Sequence, residues 1–321
     1  MPGSGTRTFI DPDHYEASLR RAQIETVITP HRKFQARLTW AELHDLKVLR
    51  CEEGFSRVAY VSLGPQLSFV TFPAHLEPLP VWRGTELRPH EIIFHSRGDR
   101  LHQSTSRPGV WSVIALNPVQ LEYYGRALSG KPFSLPPEGS ILGPSPRDAA
   151  RLRRLHAQIC RLAETKPRIL SHSEVARALE QDLIQALVAS LTTTAVRAQG
   201  VDKRDHASIM IRFEEVLAQR LSDSLRMPTL CELVGVTQQA LRSSCAVFLG
   251  MSPTRYVLLR RLRQVRITLR DAAPDAVNIA ELAQGFGFEQ LARFATAYQA
   301  VFGEAPSTTL QRAPGPRFAT P

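Results

Sequence analysis

The side chains best suited to binding chemistry lie in the last third of the 321-residue chain, where every lysine or arginine after Lys203 is an arginine. Residues 220–270 hold nine arginines and two carboxylates, Asp223 and Glu232, so their net charge is nine minus two, or +7. The nine are Arg220, Arg226, Arg242, Arg255, Arg260, Arg261, Arg263, Arg266 and Arg270. Guanidinium groups form paired hydrogen bonds with phosphate oxygens and guanine edges. With a chain net charge of +10, they indicate nucleic acid or an anionic membrane surface as partner, a solvated basic face being the alternative.

A second chemically capable group contains His90, Glu91, His95 and His102, in a turn-rich part of the chain. Histidines and a glutamate can bind a metal ion in cupin-like barrels. The chain has no HxH pair followed by a glutamate, so we interpret these histidines as surface or hydrogen-bonded residues. It also has no GxSxG, Walker or GxGxxG motif that would support catalysis. We therefore expect no enzyme, metal or cofactor, and a cupin-type metalloenzyme with an added DNA-binding module is the alternative.

The cysteines and the N-terminal residues bear on location. Cys51, Cys160, Cys231 and Cys245 form no CxxC pair and no zinc-finger spacing, which fits a reduced cytosol. The first residues lack the apolar segment of a signal peptide, and no apolar stretch is long enough to span a bilayer. We expect a cytoplasmic protein without membrane contact.

The elements that would position these residues fall into two domains, for which the 43% hydrophobic content is sufficient. Residues 55–120 contain the runs "RVAYVSL", "LSFVTF", "EIIFHS" and "VWSVIAL", separated by glycines and prolines. Such short runs predict an antiparallel sandwich or barrel. The pattern of "TWAELHDLKVLR" (39–50) does not distinguish helix from strand.

Helical patterns follow this β-rich part. "SPRD" places Ser145 as a helix N-cap with proline next to it, and Ser171 with Glu174 predicts a second helix start. The second helix has an apolar stripe of Val175, Leu179, Leu183, Leu187 and Leu191. Such a stripe usually packs against its own domain, and a dimer seam is the alternative. Residues 193–206 are polar and are predicted to be a linker.

The C-terminal region repeats itself. Met227, Leu230, Cys231, Gly235 and Val236 recur 52 positions later as Ile279, Leu282, Ala283, Gly287 and Phe288, and Leu241, Cys245, Gly250 and Pro253 recur 53 positions later as Phe294, Tyr298, Gly303 and Pro306. In each copy a small residue allows two helices to cross closely, and a glycine four positions later allows the positive φ of a turn. Asn278 with Glu281 forms a capping box. The repeat therefore predicts two helix-turn-helix units.

These motifs resemble those of the AraC/XylS-type bacterial transcription regulators. The resemblance covers about residues 210–312 and rests on "LGMSPTRYVLLRRL" and "IAELAQGFGFEQLARFATAYQAVFGEAPS". It implies a C-terminal domain of two helix-turn-helix units joined by a long helix. Cys245 stands where the family usually has an aromatic residue, which should soften the core. Over residues 1–200 the chain is similar, more weakly, to the cupin-like effector or oligomerisation domains of such regulators.

The side chains that face away from the buried positions of each second helix are the candidates for base contacts in a major groove. In the first unit they are Gln238, Gln239, Arg242 and Ser243, and in the second Gln290, Leu291, Ala292, Arg293 and Thr296. The resemblance assigns base-facing positions to 239, 242, 243, 291, 292, 293 and 296. Arg242 suits guanine and Gln239 suits adenine, whereas Leu291 and Ala292 suit thymine methyl groups.

The joining helix is predicted over 254–270, with Tyr256, Leu259, Leu262, Val265 and Leu269 on its buried face. Arg263 on its polar face is predicted to contact the DNA backbone. For Arg261 two roles remain open: a phosphate contact, or the salt bridge between the two units that the resemblance suggests.

The predicted architecture is α+β, with a β-rich domain over 1–144, a helical connector that could dimerise over 145–192, a linker over 193–206 and the double helix-turn-helix domain over 207–321. The predicted function is a sequence-specific, double-stranded-DNA-binding transcription regulator that reads two successive major grooves. An activator is favoured, with RNA polymerase, a small-molecule effector and a second copy of the chain as further partners. An architectural, weakly specific DNA binder is the alternative.

Overall fold

The structure is a computed structural model that describes residues 3–19, 22–28, 34–75, 79–130, 132–136, 138–192, 195–197, 201–223, 226–273 and 277–312. The chain divides into two compact units. The first comprises residues 1–25 and 34–199, and the second comprises residues 26–33 and 200–321. The predicted domain boundaries at 144 and 192 remain a proposal.

Two sheets form the β-structure, and every pairing with a described register is antiparallel. Their strands are β1 (Ser4–Phe9), β2 (Ala22–Ile28), β3 (Ala36–Glu42), β4 (Leu46–Glu53), β5 (Arg57–Leu63), β6 (Ser68–Pro73), β7 (Val81–Trp82), β8 (Thr85–Glu86), β9 (Ile92–His95), β10 (Arg100–Thr105), β11 (Gly109–Leu116), β12 (Ser140–Gly143) and β13 (Ala195–Val196). The larger sheet has the order β1-β3-β4-β11-β6-β9-β12-β13 and the smaller β2-β5-β10-β7-β8. The four predicted apolar runs correspond to β5, β6, β9 and β11.

Residues 39–50, which the sequence pattern left open, form part of the β3–β4 hairpin. The carboxylate of Glu180 accepts hydrogen bonds from the backbone N–H groups of Asp45 (2.7 Å) and Leu46 (3.1 Å) at the tip of this hairpin. A side chain 135 residues away therefore satisfies the turn. No local pattern could have shown this contact.

The helices of the first unit are α1 (Pro12–Ser18), α2 (Pro118–Ser129), α3 (Pro146–Thr165), α4 (Pro167–Leu170) and α5 (Ser173–Thr192). The predicted N-cap Ser145 is confirmed, because its Oγ accepts from the Asp148 N–H at 3.1 Å. The predicted start at Ser171 is wrong. Residue 171 ends α4, and α5 begins two residues later.

Helices α3 and α5 share a core with the larger sheet, so they are part of the first unit and not a separate connector. Leu152 and Ile159 of α3 and Leu183 and Leu187 of α5 are all fully buried in one cluster with sheet residues such as Phe72. The leucine stripe therefore packs within its own domain. Its alternative role as a dimer seam is wrong for Leu183 and Leu187, because neither reaches the surface.

The second unit is helical: α6 (Val201–Arg220), α7 (Met227–Val234), α8 (Gln238–Leu249), α9 (Pro253–Asp271), α10 (Ile279–Gly285), α11 (Leu291–Phe302) and α12 (Pro306–Gln311). The joining helix α9 buries the predicted face of Tyr256, Leu259, Leu262, Val265 and Leu269. The predicted α+β fold, with a β-rich N-terminal part and a helical C-terminal part, is confirmed. Among the described residues, no helix combines the length and apolar composition needed to cross a bilayer.

The predicted linker over 193–206 is wrong where the structure describes it. Ala195–Val196 forms β13, which pairs with β12, and α6 begins at Val201. Polar composition concealed both elements. The helical domain therefore begins before residue 207.

Candidate nucleic-acid interface

The first helix-turn-helix unit consists of α7 and α8. Gly235 ends α7 with φ of +71°, a conformation that glycine adopts without steric cost. The Thr237 side chain then caps α8 by accepting from the Ala240 N–H at 3.2 Å. Helix α8 buries Leu241 and Cys245 completely. Its opposite face is therefore available to a partner.

The second helix-turn-helix unit repeats this arrangement with α10 and α11. Asn278 Oδ1 accepts from the Ala280 N–H at 2.9 Å, and Asn278 Nδ2 donates to Glu281 Oε1 at 3.1 Å, which confirms the predicted N-cap. Gly287 has φ of +77° in the turn. Helix α11 buries Phe294 and Tyr298 where α8 buries Leu241 and Cys245. The predicted repeat is confirmed as a structural repeat.

The predicted base-facing residues of the first helix-turn-helix unit all lie exposed on α8. Gln238, Gln239, Arg242 and Ser243 occupy its first two turns. This set combines a guanidinium, two amides and a hydroxyl, which are the groups that read guanine and adenine edges. Contact of these four residues with DNA stays a prediction.

The predicted base-facing residues of the second helix-turn-helix unit are also exposed, but their surface is less polar. Gln290 is the N-cap residue of α11, and Leu291, Ala292, Arg293 and Thr296 follow within the helix. Leu291 is 38% exposed. The Thr296 hydroxyl donates to the Ala292 carbonyl of its own helix at 2.9 Å, so toward a partner it offers only acceptor capacity.

Sequence reasoning missed Val247, which is 38% exposed near the end of α8. It lies four residues after Ser243, and residues at this spacing share a helix face. The same spacing rule could have found it. Val247 adds an apolar group to the candidate DNA-binding surface of the first helix-turn-helix unit.

Arg260, Arg261 and Arg266 each bind groups inside the domain, which the sequence did not reveal. Arg260 and Arg266 are buried and form ion pairs with Glu214 and Glu304, both outside this segment. The net charge of +7 therefore overstates the charge available to a partner. Arg220, Arg226, Arg242 and Arg255 are exposed.

The first buried ion pair joins α6 to α9. Arg260 Nη1 lies 2.7 Å from Glu214 Oε2, and the Tyr256 hydroxyl donates to Glu214 Oε1 at 2.6 Å. Burial is the main cause that raises the Tyr256 pKa well above its usual value, and the Glu214 charge adds to it. This phenol stays protonated and holds its hydrogen bond.

The second buried ion pair joins α9 to the segment after α11. Arg266 Nη1 lies 2.8 Å from Glu304 Oε1, and the Arg266 guanidinium stacks 4.8 Å from the centre of the Phe302 ring. The Tyr298 hydroxyl donates to Thr309 Oγ1, which donates to the same Glu304 oxygen, each at 2.9 Å. Glu214 of α6 and the largely buried Glu304 after α11 thus each meet an arginine of α9.

Arg261 contacts backbone carbonyls beyond the end of α6, and its predicted phosphate contact stays a prediction. Its Nε donates to the Leu221 carbonyl at 2.9 Å, and its Nη2 donates to the Asp223 carbonyl. The side chain therefore caps the end of α6. Partial burial lowers its pKa. Among the described residues, it forms no salt bridge between the two helix-turn-helix units.

Arg263 is partly buried on α9, whereas Arg255 in the first turn of the same helix is exposed. The backbone contact of Arg263 stays a prediction. Exposure makes Arg255 an additional candidate for such a contact.

Two of the three candidate histidines of the β-rich compact unit, His95 and His102, lie in strands. His95 is buried, and its Nε2 lies 2.8 Å from Thr71 Oγ1; burial lowers its pKa to about 3. His102 is also buried, whereas His90 is exposed. Within the described parts of the chain, no three His, Cys, Asp or Glu side chains lie close enough to hold a metal ion.

Trp82 Nε1 and His95 Nδ1 are among the buried side-chain polar atoms of the β-rich compact unit that have no hydrogen-bond partner among the described residues. The two rings meet edge to face with centroids 6.1 Å apart. Trp82 packs in a cluster with Val61 of the smaller sheet and Ile93 of the larger one, so it lies between the two sheets. Buried polar atoms normally have a partner, which makes this pair an exception to be explained.

The C-terminal part of the chain is similar in sequence to known proteins. Residues 230–312 match the family described as a helix-turn-helix domain. The XylDLEGF operon transcriptional activator of Pseudomonas putida is 31% identical over 101 residues, 32% of this chain and 32% of its own length. The probable thc operon regulatory protein of Rhodococcus erythropolis is 30% identical over 100 residues, 31% of this chain and 30% of its own length. Among solved structures, the AraC-like transcriptional activator CuxR is 15% identical with a TM-score of 0.42, over 81% of this chain and 94% of that chain.

The C-terminal part of the chain is a double helix-turn-helix domain that resembles those of the AraC/XylS-type regulators, as its motifs predicted. The chain spans about a third of the length of the curated relatives it matches.

Proposed function

We propose that the protein is a sequence-specific, double-stranded-DNA-binding transcription regulator and, like the matched Pseudomonas putida protein, an activator. The observation that carries this proposal is the presence of two separately capped helix-turn-helix units, each with an exposed polar or mixed face on its second helix. A DNA-binding role explains why both faces remain free of packing. A cytoplasmic location fits it, because all four cysteines are free thiols.

The length of α9 supports a reading of two successive major grooves. This helix has 19 residues, which corresponds to about 28 Å at 1.5 Å per residue. Glu214 of α6 contacts Tyr256 in the first half of α9, and residues of α10 and α11 pack against Leu262, Val265 and Leu269 in its second half. One turn of DNA measures about 34 Å, so two units separated by one such helix suit adjacent grooves on one face.

Selection of bound sites from random double-stranded DNA with the intact chain tests the proposal. We expect a bipartite motif with half-sites about 10 base pairs apart. Binding without any recovered motif would favour the architectural binder instead. Transcription from a promoter that carries the recovered site, with purified RNA polymerase, would then test the activator role.

A small-molecule effector in the β-rich compact unit is supported by the unpartnered Trp82 Nε1 and His95 Nδ1. Both atoms are buried between the sheets, and His95 stays neutral at physiological pH because burial lowers its pKa to about 3. A neutral molecule with a hydroxyl or carbonyl group would satisfy them without burying a charge.

Thermal unfolding of the full chain with a panel of small neutral hydroxyl and carbonyl compounds tests this effector. A bound compound should raise the unfolding temperature of the wild type but not of the His95→Phe variant. Two ordered waters on these atoms in a crystal structure, with no stabilising compound, would contradict it. A homodimer also remains a prediction, but the buried leucines of α5 cannot form its contact.

A further inference from the structure

The two ion pairs of the helical compact unit, Arg260 with Glu214 and Arg266 with Glu304, have the same composition. Each places a glutamate between an arginine of α9 and a tyrosine hydroxyl or a hydroxyl chain that leads to one. Arg260 and Arg266 are six residues apart, so they project roughly 240° from each other around the helix. One arginine therefore serves the first helix-turn-helix unit and the other serves the second.

The second ion pair acts directly on the recognition helix α11. Tyr298 belongs to α11, and Glu304 follows Gly303, the residue that ends it. The Arg266 guanidinium also lies against Phe302, the last residue of α11. Arg312, after α12, adds a second cation at 2.8 Å from Glu304 Oε2. The C-terminal end of α11 is thus fixed to α9 by charge, stacking and hydrogen bonds.

The first ion pair acts on α8 through α6. Glu214 of α6 pairs with Arg260, and α6 then contacts α8 at two points. His206 Nδ1 lies 2.8 Å from Ser244 Oγ, and Met210 Sδ lies 3.9 Å from Cys245 Sγ. Arg260 therefore orients the first recognition helix by one intermediate helix.

A buried ion pair tolerates few geometries, because any displacement leaves a desolvated charge without its partner. Packing of apolar side chains is less directional. Replacement of a whole buried pair by apolar residues often preserves stability, whereas removal of one partner does not. This difference allows the orienting role of a pair to be separated from its role in stability.

We propose that Arg266 with Glu304 is a positioning pair for α11, and Arg260 with Glu214 is a positioning pair for α8. Each pair sets the orientation of its own recognition helix against α9, so the two half-sites of the DNA are read independently. This inference rests on the proposed DNA-binding function and specifies what determines its half-site geometry.

The test uses Glu304→Gln and Glu214→Gln in the full chain as matched variants. Glutamine keeps the size and one acceptor oxygen but removes the charge. Affinity is measured for the selected site and for a set with each base pair substituted in turn. Glu304→Gln should reduce discrimination about tenfold in the half-site read by α11 and leave the other half-site unchanged. Glu214→Gln should do the reverse.

A paired replacement separates positioning from stability. Arg266→Met with Glu304→Leu should unfold at nearly the wild-type denaturant concentration but still lose discrimination in the α11 half-site. Arg266→Lys, which keeps the charge, should retain part of the discrimination in the α11 half-site. Full discrimination in the folded Met/Leu variant would overturn the proposal, and so would equal losses in both half-sites for either glutamine variant. A wild type that selects no motif would overturn the proposed function itself.

Discussion

Arg242 and Arg260 are both arginines of the helical unit, but their surroundings give them different chemistry. Arg242 is exposed on α8, whereas Arg260 is buried against Glu214. A desolvated guanidinium whose hydrogen bonds are satisfied inside the domain cannot reach a groove. Burial therefore decides which arginines of this basic segment can read DNA.

We expect Arg242→Ala to lose discrimination at a single base pair, at a cost of about 1–3 kcal/mol. Arg255→Ala provides the comparison, because an exposed arginine in the first turn of α9 should reach only phosphate. That variant should weaken all sequences about equally and reduce the salt slope by roughly one unit. Titrations at several salt concentrations, on the selected site and on scrambled DNA, measure both effects. Equal loss on both DNAs for Arg242→Ala would show that α8 does not enter the groove.

His156 should make the first unit sensitive to acid. It is buried on α3 with its Nε2 3.0 Å from the Leu49 carbonyl, and burial lowers its pKa to about 4. Between pH 6.5 and 4 the unfolded chain binds a proton that the folded unit does not. Stability is therefore present above pH 6.5 and falls by about 1–3 kcal/mol as the pH decreases through this range.

Urea unfolding at pH 7 and pH 4.5, followed by a signal from the β-sheets, measures this loss. His156→Gln, which keeps a donor for the Leu49 carbonyl, should show a smaller loss than the wild type. His90→Gln, a substitution at an exposed histidine outside the core, is the control. An unchanged pH dependence in His156→Gln would contradict the assignment.

At the scale of elements, the turn glycines allow each helix-turn-helix unit to form. Gly235 has φ of +71°, and a Cβ at this position would meet no atom within 4 Å. Its requirement is therefore conformational and not steric. Gly285, the last residue of α10, also has open space but no positive φ.

We expect Gly235→Ala to destabilise the helical compact unit by about 1 kcal/mol, because alanine is strained at positive φ. Gly285→Ala should be neutral or stabilising by up to about 1 kcal/mol, since alanine is the better helix former. Thermal unfolding of the two variants compares them. Similar effects of both substitutions would show that the turn relaxes to a conformation that alanine accepts.

Helix α5 provides a second prediction at this scale. Leu183 is completely buried against the larger sheet, and Gln185 two residues later is exposed. Leu183→Glu should destabilise the first unit by at least about 3 kcal/mol, because it buries a charge without a partner. Gln185→Glu should have almost no effect. Limited proteolysis of the full chain would separate them, and a folded Leu183→Glu protein that only loses self-association would restore the dimer seam.

At the scale of the whole molecule, the helical unit has its own core, so it should fold alone. Met210, Phe213 and Leu217 of α6 are buried within it. We expect residues 201–321 to fold and bind DNA as an isolated fragment. A fragment that begins at 207 should be less stable, because it lacks His206 and its contact with Ser244. Circular dichroism of both fragments tests this, and an unfolded 201–321 fragment beside a folded full chain would contradict it.

The sequence by itself determined the features whose causes are local in the chain. The repeat at 52 and 53 positions, the cap at Asn278 and the positive-φ glycines predicted the helical domain, and the cap at Ser145 predicted the start of α3, because capping and turn chemistry act over a few residues. The same logic identified which side chains of α8 and α11 are exposed. Only the tertiary structure decided which charges are paired, because Glu214 lies 46 residues from Arg260 and Glu304 lies 38 residues from Arg266. It also decided that α5 packs on its own sheet, since an apolar stripe has the same pattern whether it packs within one domain or against a second copy.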